Sequence, residues 1–145
     1  MKYDYAVFIV LLPLLILTGC SNHVALKGKV VYSDDKSPVP VGMVFLETDT
    51  YGARGELKPD GTFIVGALKA KDGLPPGKYR VYISGAEAVS GYTPSGDEIF
   101  APLITKKFTD PDTSGITIDV TRSTKEFVIV VDRFQKKKQS PGEQE

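Results

Sequence analysis

The chain of 145 residues has one cysteine, one histidine and no tryptophan, and each shortage removes a class of protein. A single cysteine forbids an intrachain disulfide, so a fold outside the cytosol must hold by packing alone. A single histidine, His23, leaves any metal centre to carboxylates. No HExxH, Cys-Xaa-Xaa-Cys, glycine-rich phosphate loop or GxSxG run occurs. His23 reads as a solvated residue ahead of the first strand, and no catalytic, cofactor-binding or metal-binding residue is expected. Eighteen basic side chains against eighteen acidic ones give zero formal net charge, which removes the electrostatic case for nucleic acid. From Val24 onward no stretch long enough for a helix carries the 3.6-residue apolar period.

What is present is a series of short apolar segments broken by Gly, Pro and Asp, the pattern of an all-β chain. Residues 24–32 alternate Val24, Leu26, Gly28, Val30 and Tyr32 on one face against Lys27 and Lys29 on the other. A turn at Asp34, Asp35 and Pro38 leads to residues 41–48, more fully apolar, and residues 53–58 make a weaker third strand. Lys58-Pro59-Asp60-Gly61 is a turn signal, because proline presets one dihedral and Gly61 can take a positive φ. Residues 61–66 return from it with Phe63 and Val65 on one face. After the rigid bend at Pro75-Pro76-Gly77, residues 78–84 point Tyr79, Val81 and Ile83 at the core and Arg80 and Tyr82 outward. Residues 116–120 and 126–133 complete the set, the last apolar on both faces from Phe127 to Val131 and so expected at a sheet centre. Seven such strands predict a two-sheet sandwich, since each apolar face must be buried against another.

The ends of the chain carry a different signal. Residues 6–17 are apolar apart from Pro13, a length suited to the core of a secretion signal and short of the about 20 residues that span a bilayer. The run closes on Leu17-Thr18-Gly19-Cys20, which resembles the lipobox of a bacterial lipoprotein precursor. That resemblance implies a signal peptide over residues 1–19, acylation of the Cys20 thiol, and cleavage that leaves Cys20 as the new N-terminus. Acyl chains contribute about 0.8 kcal/mol per buried CH2, so two or three of them on Cys20 hold a protein on membrane lipid. Ser21 in place of aspartate then implies an outer membrane facing the periplasm in a Gram-negative envelope. Only Ser21, Asn22 and His23 separate the anchor from Val24, a reach of about 10–14 Å, so the domain is expected close to the lipid. Residues 134–145, with Lys136-Lys137-Lys138, Pro141 and Gly142, form a polar tail expected to be disordered.

A second resemblance covers residues 24–133. Gly28, Val39-Pro40, Asp60-Gly61 and Pro76-Gly77, in their segments, are similar to carboxypeptidase regulatory-like and transthyretin-like (prealbumin-like) domains. With the signal and lipobox, the chain resembles small planctomycete-type lipoproteins built of those parts alone. The resemblance implies a seven-stranded, immunoglobulin-like β-sandwich. It implies a fold and not a reaction: no peptidase domain accompanies the module, and no hormone channel carries over residue by residue.

The connection over residues 85–115 is too long for a simple turn, since connections in compact domains run about 4–6 residues. Tyr92, Phe100, Leu103, Ile104 and Phe108 give it something to pack. An irregular flap on the sandwich is expected, with a short extra strand over residues 102–107. If successive strands reverse direction, this connection lies with the turns near Asp34 and Asp60, at the end away from Cys20. Asp110-Pro111-Asp112-Thr113-Ser114-Gly115 lacks the spacing of an EF-hand and reads as an Asp-rich turn, as do Asp34 and Asp35. Asp97 and Glu98 look solvated, which argues against an acid pair. The expected function is a non-catalytic, lipid-anchored cell-envelope module with a protein partner. The alternative is glycan or small-ligand binding at the distal loops, with Tyr92, Phe100 and Tyr82 as contacts and with Tyr51 as a further stacking surface.

Overall fold

Alternation decides the first strand, β1 (Lys27–Tyr32): Gly28, Val30 and Tyr32 are buried while Lys27 and Lys29 are exposed, as period-2 patterning requires. The computed structural model describes residues 23–66 and 72–136. Eight further strands follow: β2 (Met43–Glu47), β3 (Gly52–Glu56), β4 (Thr62–Ile64), β5 (Gly77–Ser84), β6 (Glu87–Tyr92), β7 (Glu98–Pro102), β8 (Ile116–Val120) and β9 (Glu126–Val131). They form a three-stranded sheet in the order β4-β1-β9, a four-stranded sheet in the order β3-β2-β5-β8, and a separate β6-β7 hairpin. Each of the seven segments expected from the sequence overlaps one strand of the two larger sheets, β3 and β5 each starting one residue earlier than expected.

Both sheets turn their apolar faces onto one core. Val30, Phe63, Ile129 and Val131 come from the first sheet, and Val44, Leu46, Tyr79, Val81 and Ile83 from the second. Burying such a side chain contributes roughly 1.5–3 kcal/mol, so this layer supplies most of what holds an all-β chain without disulfides. Gly28 is required where it stands: a Cβ there would meet Phe63 Cζ at 2.3 Å, so the missing side chain lets the Phe63 ring lie across β1. Phe63 in turn meets Phe127 edge-on, with ring centroids 5.5 Å apart. The Lys58 turn forms as its residues dictate, with Gly61 at φ +75° and its amide donating to the Lys58 carbonyl at 2.7 Å.

Strand directions follow from the pairings. β9 runs parallel to β1 and β4 runs against it; β5 opposes β2, and β3 and β8 oppose their neighbours. An antiparallel bridge between Arg54 and Gly66 links β3 to the chain beyond β4 and relates the two sheets. The turns at Asp34 and Asp60 and residues 85–115 therefore share one end. Val24, which bridges to Leu74 ahead of β5, lies at the other end with the turns after β2 and β8.

Two expectations are corrected. Strand β9 is not central: it forms one edge of its sheet, with β1 in the middle. Its inward residues Ile129 and Val131 fill the core, but Val128 and Val130 are 63% and 45% exposed. Their β-branched side chains mark strand propensity and not burial. The long connection is a two-stranded hairpin with one bulge followed by a 3-10 turn at Lys106–Thr109, in place of the expected irregular flap with an extra strand over residues 102–107. The Phe108 amide bonds back to the Thr105 carbonyl at 3.1 Å, and the Thr109 hydroxyl to the Lys106 carbonyl at 2.8 Å. That curl drops Phe108 into the core.

Candidate functional site

The β6-β7 hairpin is secured at its base and free at its tip. At the base Ala86 is buried, Leu103 donates to the Ala86 carbonyl at 2.8 Å, and Ile104 is buried while it bridges to Arg133. Thr105 adds a bond to the Asp132 carbonyl at 3.0 Å. Above the base, Val89 faces Phe100, and a bulge at Ser90 shifts the register so that Gly91 pairs with Ile99 and Tyr92 with Glu98. The Ser90 hydroxyl donates to the Ile99 carbonyl at 3.0 Å across that bulge. At the tip, Thr93 donates to the Asp97 carbonyl at 2.8 Å, and the Ser95 hydroxyl donates to the Asp97 carboxylate at 2.6 Å. Gly96, at φ +93°, takes the left-handed position that the turn needs.

Its side chains are the unusual part. Val89, Tyr92, Ile99 and Phe100 are 44%, 66%, 45% and 55% exposed. Ile99 and Phe100 are consecutive in β7 and point to opposite faces, so the hairpin exposes apolar groups on both, and exposed apolar surface of this kind commonly marks an interaction site. The charges on this element are of one sign: Glu87, Asp97 and Glu98 are acidic, and no Lys or Arg stands between Arg80 and Lys106.

The expected contact residues separate. Tyr92 and Phe100 belong to the exposed hairpin, whereas Tyr82 stacks on Phe45 on the outer face of the four-stranded sheet, with centroids 4.9 Å apart and planes 8° from parallel. Burial, followed by the charge of Glu47, pushes the Tyr82 phenol up. Arg80 beside it pairs with Glu47 at 3.2 Å and with Asp112 at 3.0 Å. Tyr51 is half-buried, edge-on to Tyr79 and to His23, and its hydroxyl donates to the Gly73 carbonyl at 3.4 Å. Tyr51, Tyr82 and Tyr92 thus do not make one coplanar platform.

Other candidate groups have local structural partners. Asp112 donates its amide to the Asp110 carboxylate at 2.8 Å, an Asp-rich turn closed by Gly115 at φ +66°. Arg133 lies over the Tyr32 ring at 3.7 Å and pairs with Asp34 and Asp35, each at 3.1 Å. Hydrogen bonds from the Ser37 hydroxyl and amide, more than Arg133 itself, hold the Asp35 carboxyl down to about 2. His23 is exposed, with Nδ1 3.2 Å from the Asp72 carbonyl. Among the described residues no group of three or more His, Cys, Asp and Glu could hold a metal ion. Nor is any helix there long and apolar enough to cross a membrane. Cys20 and the tail from residue 137 lie outside the described residues.

Val89 and Ile99 were not singled out by sequence reasoning. A usable signal existed in the turn sequence Thr93-Pro94-Ser95-Gly96-Asp97 between two segments with β-branched and aromatic residues.

Comparison with known proteins finds no matching family model and no matching curated protein. Among solved structures, the chain is similar to a variant of the major pilin subunit of Bacillus cereus, with 11% identity and a TM-score of 0.45, over 79% of this chain and 30% of that one. It is also similar to a 9R-lipoxygenase from Cyanothece, with 13% identity and a TM-score of 0.41, over 83% of this chain and 18% of that one. The chain thus spans less than a third of either protein.

Proposed function

We propose that this chain is a non-catalytic, lipid-anchored module of the cell envelope that engages a protein through its β6-β7 hairpin. One observation carries the reading: four large apolar side chains, Val89, Tyr92, Ile99 and Phe100, stand exposed on an element at the end opposite Val24. The Leu17-Thr18-Gly19-Cys20 sequence supports an acyl anchor at Cys20. A spacer of three residues before Val24 then sets the sandwich near the lipid and turns the hairpin away from it. A transthyretin-like or carboxypeptidase regulatory-like sandwich with immunoglobulin-like character is the finer fold we infer. Its part is that of a rigid stand for the hairpin. The acidic rim of Glu87, Asp97 and Glu98 favours a basic protein surface over an anionic lipid one.

The test is a crosslinked pull-down of the full chain from intact membranes, compared with Tyr92→Ser/Phe100→Ser and with Cys20→Ser. The hairpin variant should lose its reproducible protein neighbours and keep metabolic acyl labelling. Cys20→Ser should lose the label. Unchanged neighbours in the hairpin variant would sink the interaction reading, and unchanged acylation in Cys20→Ser would sink the anchor.

A further inference from the structure

Apart from Val41 and Phe134, the exposed large apolar residues among those described lie on two elements. One is the hairpin; the other is the outer side of β9, where Val128 and Val130 face solvent. Beside Val128 lies a groove of about 420 Å³ across the outer face of the β4-β1-β9 sheet. Strand register builds it from two rows: Ile64, Lys27 and Glu126 in one, and Thr62, Lys29 and Val128 in the next. Lys58 closes the side towards the Asp60 turn, so three lysines stand around the groove against the one acid, Glu126. On this side Lys27, Lys29, Lys58, Glu126 and Val128 are exposed.

The hairpin and the groove are opposite in charge and both carry apolar surface. Apolar side chains are exposed on the first, and Ile64 and Val128 lie among the lysines of the second. The first carries Glu87, Asp97 and Glu98 with no basic residue, whereas the second carries Lys27, Lys29 and Lys58. The chain is neutral as a whole, so this opposition is a segregation of charge and not a surplus. The groove has room for the side chains of Phe100 and Val89, which face each other across the hairpin. The hairpin stems from the end of the fold away from Val24, whereas the row Ile64, Lys27 and Glu126 lies towards Val24, so the contact requires neighbouring copies to be tilted or offset along the strand direction.

We propose that the hairpin of one copy docks in the lysine-lined groove of a second copy, which makes the protein partner of this module the chain itself. The proposal rests on the reading of the hairpin as a protein-contacting element. The two surfaces are unlike, so the contact is heterologous: each copy keeps one free hairpin or one free groove, and copies add into rings or open rows and not only into closed pairs.

A photo-crosslinking experiment decides it. A benzophenone amino acid replaces Phe100 in the full chain, expressed in its membranes, and irradiation is followed by denaturing electrophoresis and peptide mapping. The expected result is bands at twice the chain mass and higher multiples, with the linked peptide covering residues 27–29 or 126–128. Reversing the groove with Lys27→Glu and Lys29→Glu should lower the yield about tenfold. Adding Glu87→Lys and Glu98→Lys to that variant should restore it, which a misfolded groove could not do. A crosslink to a different protein would overturn the self-contact and leave the interaction reading standing. Absence of any protein crosslink would overturn both, and failure of the combined reversal to restore the yield would overturn the charge pairing.

Discussion

Leu46, Val81, Ile83 and Ile129 in the sandwich have at most 1% of their surface exposed, while Val89, Tyr92, Ile99 and Phe100 on the hairpin have 44–66% exposed. Both regions are hydrogen-bonded β-strands, and both use β-branched and aromatic residues. What differs is the layer behind them. Each sheet of the sandwich has the other to bury against, whereas a two-stranded hairpin has no partner layer and is at best marginal by itself. The hairpin is held instead by its base, through Ala86, Ile104 and Thr105, and by hydrogen bonds at the Ser90 bulge and the Thr93 turn. Its large apolar groups contribute little to its own fold, so their presence points to contact outside the chain.

The largest effect separating the two regions is expected at Phe63. Its ring lies over Gly28, meets Phe127 edge-on and is 1% exposed. Phe63→Ala should lower the unfolding free energy by about 3–5 kcal/mol, because the cavity sits between strands that cannot collapse into it. Urea denaturation followed by circular dichroism measures this directly. A loss no greater than that of a surface substitution would break the distinction between the sandwich as a packed body and the hairpin as an appended one.

The sandwich was legible in the sequence because its signals agree. Alternation in residues 24–32, the Pro59-Asp60-Gly61 turn and the Tyr79, Val81 and Ile83 face each reappear in the structure as drawn. The place of β9 was not legible, because Val128 and Val130 look the same in sequence whether a sheet or solvent covers them. Burial of an outer face depends on sheet order, which pairing between distant segments decides. The hairpin was hidden for a related reason: its strands carry exposed apolar residues where a solvated strand would alternate with polar ones. Tyr92 and Phe100 were recognisable as candidates, but only the register across the Ser90 bulge shows that Val89 stands opposite Phe100. The lysine groove combines residues from β4, β1 and β9, and no local pattern joins them.

A smaller effect is expected where the turn after β1 is tied to the end of β9. Bonds from Ser37 and the neighbouring Arg133 hold the Asp35 carboxyl at about 2, below its ordinary value of 3.8. The folded state therefore binds a proton at Asp35 less readily than the unfolded chain does. The resulting stability is complete above the unfolded pKa and is lost as pH falls through about 2. Asp35→Asn should flatten the acid limb of a melting-temperature profile between about pH 4 and pH 2. Hairpin substitutions should leave that limb unchanged. An acid limb identical in Asp35→Asn and the parent chain would remove Asp35 from the account of how this end is held.

The smallest effect on stability is expected at Phe100, and it is the most informative about the comparison. More than half of the residue is exposed to solvent, and its neighbour across the hairpin, Val89, is exposed as well. Phe100→Ala should therefore change the unfolding free energy by no more than about 0.5 kcal/mol. The same substitution removes the largest apolar group from the contact surface, so protein crosslinking from the hairpin should fall while the denaturation curve stays in place. Phe63→Ala should do the reverse at temperatures where it remains folded: weaken the body and leave the tip competent. Loss of stability at Phe100 comparable to that at Phe63 would make the hairpin part of the folding unit, and its exposed residues would then need no partner to explain them.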